Sequence, residues 1–321
     1  MTFSTRGPTL GLVCITASPQ IRYRTITRTN YLRLEPTARF EKLRELYASN
    51  SAKLLEALTF CFETGIGLYR VTSQLFPMHD LADGVGAMVL NEIAPGLLEV
   101  GRRSEQYGIR VVIHPEQFVV LSSDSPEIAR NAVALLAGHA RQMDLMGLPR
   151  TQWSMLLIHG GKGGRSDALV ERIAALPDNV RTRLALENDE HAYGAQAMLE
   201  VCQRANVPMV FDAHHHVIRD GLTSYEHPSI AQFTQAAQET WSDPAWQIAH
   251  LSNGKESFSD RRHSDLIDQF PSAFLSVPFV EIEAKAKEIA ILDLRERLAR
   301  DKPILSVTRD PPLEPAYPDS E

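Results

Sequence analysis

Residues 208–216 read PMVFDAHHH. An apolar run of the length of a buried strand stops abruptly at one carboxylate and three imidazoles. Just upstream, AQAMLEVCQRA (195–205) has the spacing of an amphipathic helix, and downstream WQIAHL (246–251) is a second short apolar run. A buried strand entered from one helix and left toward another is the unit of a parallel α/β fold. The same reading extends outward to TLGLVCI (9–15), GLYRVT (67–72), IRVVI (109–113), WSMLLI (153–158), TRLALE (182–187) and PFVEIE (278–283), which makes eight strands. Helical spacing fills the gaps at 41–65, 94–108, 125–147 and 195–205, several of these segments ending at glycine. Ser125 followed by Pro126 reads as an N-cap and first helical residue. Eight alternations without a glycine fingerprint after the first strand predict a (β/α)8 TIM barrel over a doubly wound sheet. Residues 1–300 form one domain in this reading, closed by an amphipathic helix over 284–300. Residues 301–321, rich in proline and acids, read as a disordered or surface-laid tail.

Composition narrows the function classes. A hydrophobic fraction of 44% with 23% charged residues gives enough apolar material for a sizeable core and excludes disorder of the bulk. No stretch approaches the roughly 18 apolar residues of a membrane span, and the N-terminus lacks a secretory pattern, so a cytoplasmic protein is expected. Cys14, Cys61 and Cys202 are odd in number and widely spaced, which indicates neither a disulfide framework nor a zinc ribbon. The net charge of −7 argues mildly against a nucleic-acid partner. Net charge averages over faces, however. Arg22, Arg24, Arg28 and Arg33 stand together without an acid, and Lys162 and Arg165 lie among glycines, so two basic loops can make one positive face.

In a barrel the active site gathers where the strands end. The third strand ends in His114, the fourth in His159, the fifth in Glu187, and the sixth in Asp212 with His215 three residues on. The seventh carries His250, with His263 in the next loop, and the eighth ends in Glu283. A single histidine at a strand end is usually a hydrogen-bonded core or loop residue. Eight imidazoles and carboxylates converging on one cavity would leave buried charges uncompensated unless divalent cations neutralised them. Nitrogen and oxygen donors without thiolate suit Zn or Mn, as two or three ions about 3.5–4 Å apart. Spacing alone does not choose among His214, His215 and His216. His79, His139, His191 and His227 read as surface histidines in helices or polar loops.

The segments RYRTITRTNYLRL, LYRVTSQLFP, HPEQFVVLSSDSPE, IHGGKGGR, LALENDE, FDAHHH, HLSNGKE with the following RHSD, and EIEAKAKE closely resemble the bacterial UV damage endonuclease family, the UVDE or UvsE repair enzymes. The resemblance keeps motif order from about residue 9 to 300. It implies an endonuclease IV-like TIM barrel, of the xylose isomerase-like class. It also implies two or three divalent ions, manganese foremost, and incision of DNA immediately 5′ to a photolesion, leaving a 3′-hydroxyl. On that resemblance His114, His159 and Glu187 hold one ion, and Glu187 bridges to a second held by Asp212, His250 and Glu283. His215 and His263 hold the third, with Glu187 and Glu283 also taken as the catalytic pair. Gln117 and Phe118 match residues that probe the duplex opposite an extruded lesion, and Arg22, Arg24, Arg28, Lys162 and Arg165 become candidates for gripping phosphate. The implied partner is UV-damaged double-stranded DNA, bound by a monomer without an obligate protein partner. Two departures stand out: Gln74 where relatives offer histidine, and Ile248 where some carry lysine. A metal-dependent sugar isomerase and a non-catalytic damaged-DNA-binding protein are the rival readings. An isomerase gives no reason for an arginine-rich first loop.

Overall fold

A computed structural model describes residues 7–115 and 119–300, so Gln117, Phe118 and the expected tail lie outside the described residues. The chain closes into a barrel of eight parallel strands in sequential order: β1 (Thr9–Val13), β2 (Leu68–Val71), β3 (Arg110–Ile113), β4 (Leu156–His159), β5 (Leu184–Glu187), β6 (Met209–Asp212), β7 (Ile248–Leu251) and β8 (Phe279–Ile282). Around it run α1 (Arg28–Leu32), α2 (Pro36–Glu63), α3 (Val85–Tyr107), α4 (Pro126–Leu145), α5 (Ser166–Ala174), α6 (Asp178–Arg181), α7 (Ala195–Ala205), α8 (Ala213–Asp220), α9 (Pro228–Gln238) and α10 (Glu288–Arg300). Among the described residues no helix is long and apolar enough to cross a membrane.

All eight expected strands are present, seven of them trimmed at one or both ends. The run expected at 153–158 is displaced to Leu156–His159, because the carbonyls of Gln152 and Trp153 accept from the Arg110 guanidinium at 2.8 and 2.7 Å rather than from a neighbouring strand. The helix expected at 94–108 starts earlier, at Val85, and runs through Pro95. Proline inside a helix costs about 3 kcal/mol. Burial of Val89, Leu90, Leu97 and Val100 on the face toward the core offsets that cost. The expected N-cap of α4 is in place, Ser125 Oγ accepting from Ile128 N at 3.4 Å. The last helix begins at Glu288, four residues later than expected, because Lys287 adopts a φ of +52° that no α-helix accommodates.

Strand alternation explains how the barrel is filled. Leu68, Val112, Leu157, Ala185, Val210 and Ile248 form a buried apolar cluster of their own inside it, separate from the large core between strands and helices. Here β1 contributes Gly11, where an added Cβ would lie 2.7 Å from Leu68. Two residues further along β2 to β7, on the same inner face, stand Arg70, His114, His159, Glu187, Asp212 and His250. Each polar residue therefore stands one layer above an apolar one. Beneath them Arg110 plugs the other end, fully buried, with its guanidinium about 5 Å from the rings of Trp153 and Phe279. Burial holds the pKa of Arg110 down at about 9.

His191 and His227 are exposed, as expected for surface histidines, and His79 is half-buried. His139 departs from that reading: it is 1% exposed, its ring 4.9 Å from that of His79. Burial, reinforced by His79, holds its pKa down at about 3, against 6.5 for a free imidazole. The folded-state pKa is depressed, so the stability it confers is complete above pH 6.5 and is lost as pH falls toward 3. At pH 5 the loss is about 2 kcal/mol. Denaturant unfolding at pH 7 and pH 5 is expected to show His139→Leu losing about 2 kcal/mol less than the wild type over that interval. Equal losses would exclude His139 as the cause.

Candidate metal centre

Strand ends bring five of the expected residues, His114, His159, Glu187, His215 and Glu283, to one cavity of about 240 Å³ lined also by Cys14, Arg70, Thr72 and Ser73, while Asp212 and His250 are buried outside its lining and His263 lines an adjoining cavity. Glu187 is its hub, 2% exposed. Its Oε2 lies 3.1 Å from His114 Nε2 and 3.7 Å from His159 Nε2; its Oε1 lies 2.9 Å from His250 Nδ1 and 4.0 Å from His215 Nε2. Burial alone would raise its pKa. The His250 and His159 charges, with hydrogen bonds from His114 and His250, instead hold it well below the usual carboxylate range.

Asp212 ends β6 and also caps α8, Oδ1 accepting from His215 N at 2.7 Å. That cap starts a helix directly at the strand end, and all three histidines lie on it. The turn of the helix then chooses among them. His214 is held by Tyr225 Oη at 2.7 Å and by the carbonyl of Asp260 at 2.9 Å, and His216 by Ser229 Oγ at 2.8 Å. Only His215 of the three faces Glu187 and Asp212, and its Nδ1 lies 2.7 Å from Glu190 Oε2. Burial opposes its protonation, but Asp212 and the Glu190 hydrogen bond push its pKa up to about 10.

The ligand atoms fall into three groups whose members lie within 4.8 Å of one another: His114, His159 and Glu187; Glu187, Asp212 and His215; His250, Glu281 and Glu283. The first is the grouping implied by the family resemblance. The others differ from it: His215 stands with Asp212 rather than with His263, and His250 stands with Glu281. His263 Nδ1 is 3.9 Å from Glu283 Oε2, at the edge of the cluster.

Sequence reasoning passed over four residues. Glu281, fully buried, lies 2.9 Å from His250 Nε2 and 3.0 Å from Arg70 Nη1, which also pairs with Glu283 at 2.6 Å. Asn188 ties the ends of β5 and β6, exchanging 2.9 Å hydrogen bonds with the backbone of Asp212. Glu190 positions His215. The period-2 placing of Glu281 and Glu283 on one face of β8 was the available signal for the first; an arginine within the apolar LYRV was the signal for Arg70.

The basic candidates are more scattered. Arg22 donates to the carbonyls of Thr16, Ile21 and Ala17, and so braces its own loop. Arg24 pairs with Glu45 at 2.7 Å, while Lys162 and Arg165 share Asp124. Arg28 and the exposed Gln74 line a larger neighbouring cavity of about 670 Å³ with mixed polar and apolar walls. That space is bigger, and His79, Asp80 and His139 lie in its lining, but among the described residues the groups that could hold a metal ion stand around Glu187 and Glu283, so the chemistry belongs to the smaller one.

The donor set fits divalent cations. It is nitrogen and oxygen throughout, since the only thiol lining the cavity, Cys14, is held protonated by burial. Nδ1 of His159 is buried without a hydrogen-bond partner among the described residues, and burial, with His114 and His215 nearby, lowers the pKa of that imidazole toward the neutral form that binds metal.

Comparison with known proteins agrees with this architecture. Residues 8–310 match the family model described as UV-endonuclease UvdE. A UV DNA damage endonuclease of Nostoc sp. is 51% identical over 288 residues, covering 90% of this chain and 89% of that protein. The crystal structure of SacUVDE superposes with a TM-score of 0.77 at 22% identity, covering 91% of this chain and 98% of that one. Endonuclease IV from Thermus thermophilus shares the fold at a TM-score of 0.54 and 13% identity, covering 92% of this chain and all (100%) of that one. With the match spanning nearly the whole described barrel, the chain belongs to the UV-endonuclease UvdE family.

Proposed function

We propose that the protein, a UV-damage DNA repair endonuclease, incises the backbone immediately 5′ to a photolesion by metal-assisted hydrolysis and leaves a 3′-hydroxyl. Its substrates would be duplexes bearing pyrimidine dimers or (6-4) photoproducts, with abasic sites as a further class, bound by a monomer. The observation that carries the reading is Glu187, a buried carboxylate facing four imidazoles from four different parts of the barrel rim, in a chain of this family.

Divalent cations, manganese foremost and zinc as the alternative, would supply a nucleophile at neutral pH by acidifying water and would offset charge developing on the phosphate. His114, His159, Glu187, Asp212, His215, His250, His263 and Glu283 would hold them. Each oxygen of Glu187 faces a different pair of imidazoles, His114 and His159 on one side and His250 and His215 on the other. The carboxylate can therefore bridge two positions. Glu283 reaches the cavity from the end of β8 and is held ionised by Arg70 and His250 against its burial, so it can orient the attacking water. Glu190 would keep the His215 ring aimed inward. Gln117 and Phe118 would fill the gap left by the extruded dinucleotide. Lys162 and Arg165 would exchange Asp124 for backbone phosphate, and Arg22, Arg24 and Arg28 would line the path of the strand.

The test is nicking of irradiated against unirradiated supercoiled plasmid, with Mn²⁺ and with chelator. Selective nicking of irradiated plasmid that chelator abolishes is expected. A folded, metal-loaded protein that binds irradiated DNA without cutting it would instead be a damage-binding protein.

A further inference from the structure

A second cavity of about 400 Å³ adjoins the candidate metal centre, and Arg70 and Glu283 form the wall between them. Its other polar lining is cationic or imidazole: Arg262, His263, Lys285 and Lys287. Two of the four cations are already neutralised. Arg70 is held by Glu281 and Glu283, and Arg262 Nη2 lies 2.8 Å from both Glu256 and Asp260. Lys285 and Lys287 are not: neither ammonium is hydrogen-bonded or ion-paired among the described residues. Lys285 is exposed and Lys287 half-buried, and although the Glu283 and Glu288 charges act on Lys287, neither carboxylate makes an ion-pair contact with its ammonium, which leaves that partly desolvated cation open to a further anion.

The backbone shows that the placement is built. Lys287 sits at φ +52°, a conformation that residues with a Cβ adopt rarely and that gathers at ligand-binding positions. The turn carrying it is tied to the β7–β8 loop, Lys285 N donating to Ser264 O at 3.0 Å and Ala286 N to Asp265 O at 3.1 Å. These bonds hold Lys285 and Lys287 beside His263, and Ala17 N donates to Glu288 Oε2 at 2.6 Å, which sets the same turn against the loop after β1 that carries Arg22.

We propose that this cavity is a phosphate subsite, in which Lys287 and Lys285 hold a backbone phosphate of the cut strand next to the scissile one. The inference rests on the endonuclease reading for the strand it names, and on the unpaired cations for the anion. Clamping the neighbouring phosphate would fix the register of the strand over Glu187 and Glu283 without reading sequence.

The test is binding of photolesion duplexes in chelator, by anisotropy, with the phosphates around the incision position replaced one at a time by uncharged methylphosphonate. Wild type is expected to lose on the order of tenfold at one flanking position. Lys287→Met is expected to bind unmodified duplex on the order of tenfold more weakly, to be insensitive to that position, and to lower the salt slope by about 0.9. Lys287→Gly, which removes the charge while relieving the positive φ, should match it, and Lys287→Arg should restore binding. Penalties that simply multiply at every position would overturn the proposal. Wild type that binds without preferring the photolesion would overturn the functional reading alone, because the coupling remains measurable on intact duplex. Absence of any DNA binding would overturn both.

Discussion

Glu187→Gln is expected to fold to the same barrel and to nick irradiated plasmid about 10³-fold more slowly, in the range seen when one preorganised electrostatic group is removed from a buried site. The amide keeps the size of the carboxylate and an oxygen that can accept from His250 Nδ1, 2.9 Å away in the wild type. What it loses is the charge that draws His114, His159, His215 and His250 to one point. With neutral oxygen at the hub, His250 and His215 lose a charge that favours their protonated forms, so the fold survives while the cluster loses the anion two of its ligand groups share. Elemental analysis of the purified variant should show a lower metal content than wild type. Incision within tenfold of wild type at full metal content would exclude Glu187 from the hub.

Arg70→Met is expected to give the largest loss of stability, about 3–5 kcal/mol, because it leaves two carboxylates without their shared cation. Arg70 is 8% exposed, Glu281 fully buried, and the guanidinium lies 3.0 and 2.6 Å from Glu281 and Glu283. Burial works against ionisation of both acids, and Arg70 with His250 outweighs it, holding both pKa values below the usual carboxylate range. Depressed folded-state values mean that this stabilisation is present above the unfolded pKa and disappears as pH falls through the folded one. The unfolded carboxylates are common to both proteins, so the gap should be widest at neutral pH, narrow as falling pH protonates the unpaired acids of the folded variant, and vanish only below the depressed folded-state values of the wild type. Thermal melts across that range decide it: a gap that does not depend on pH would point to lost packing alone.

The eight strands could be read because each ends where apolar residues give way to Asp, Glu, His or a turn, and that boundary survives barrel closure. The cluster could be read for the same reason, since His114, His159, Glu187, Asp212 and His250 stand at those boundaries. Glu281 was harder. Polar residues alternating along VEIE look alike whether they face solvent or the barrel axis, and only closure of β8 against β1 and β7 turns that face inward. His139 was read as a surface residue on residue type, whereas its place on the inner face of α4 buries it. Lys287 hid in a sequence with good helical spacing, because spacing carries no information about a single left-handed residue.

The seam between β3 and β4 has one register pair, Ile113 with Leu156, where β2–β3 and β4–β5 each have four. At the base, Arg110 crosses that seam to the carbonyls of Gln152 and Trp153, so a side chain does there what a ladder does elsewhere. Beyond the rim the loops that follow the two strands are tied again, Ser122 Oγ donating to Gly160 O at 2.8 Å and accepting from Lys162 N at 2.6 Å, while the strands themselves end in His114 and His159, whose rings stand 5.2 Å apart. The seam is thus fastened by side chains at its floor and above its mouth, with almost no ladder between the two fastenings. Hydrogen exchange should find the amides between those fastenings opening before those of the flanking ladders, and each opening changes the spacing of two imidazoles that face Glu187.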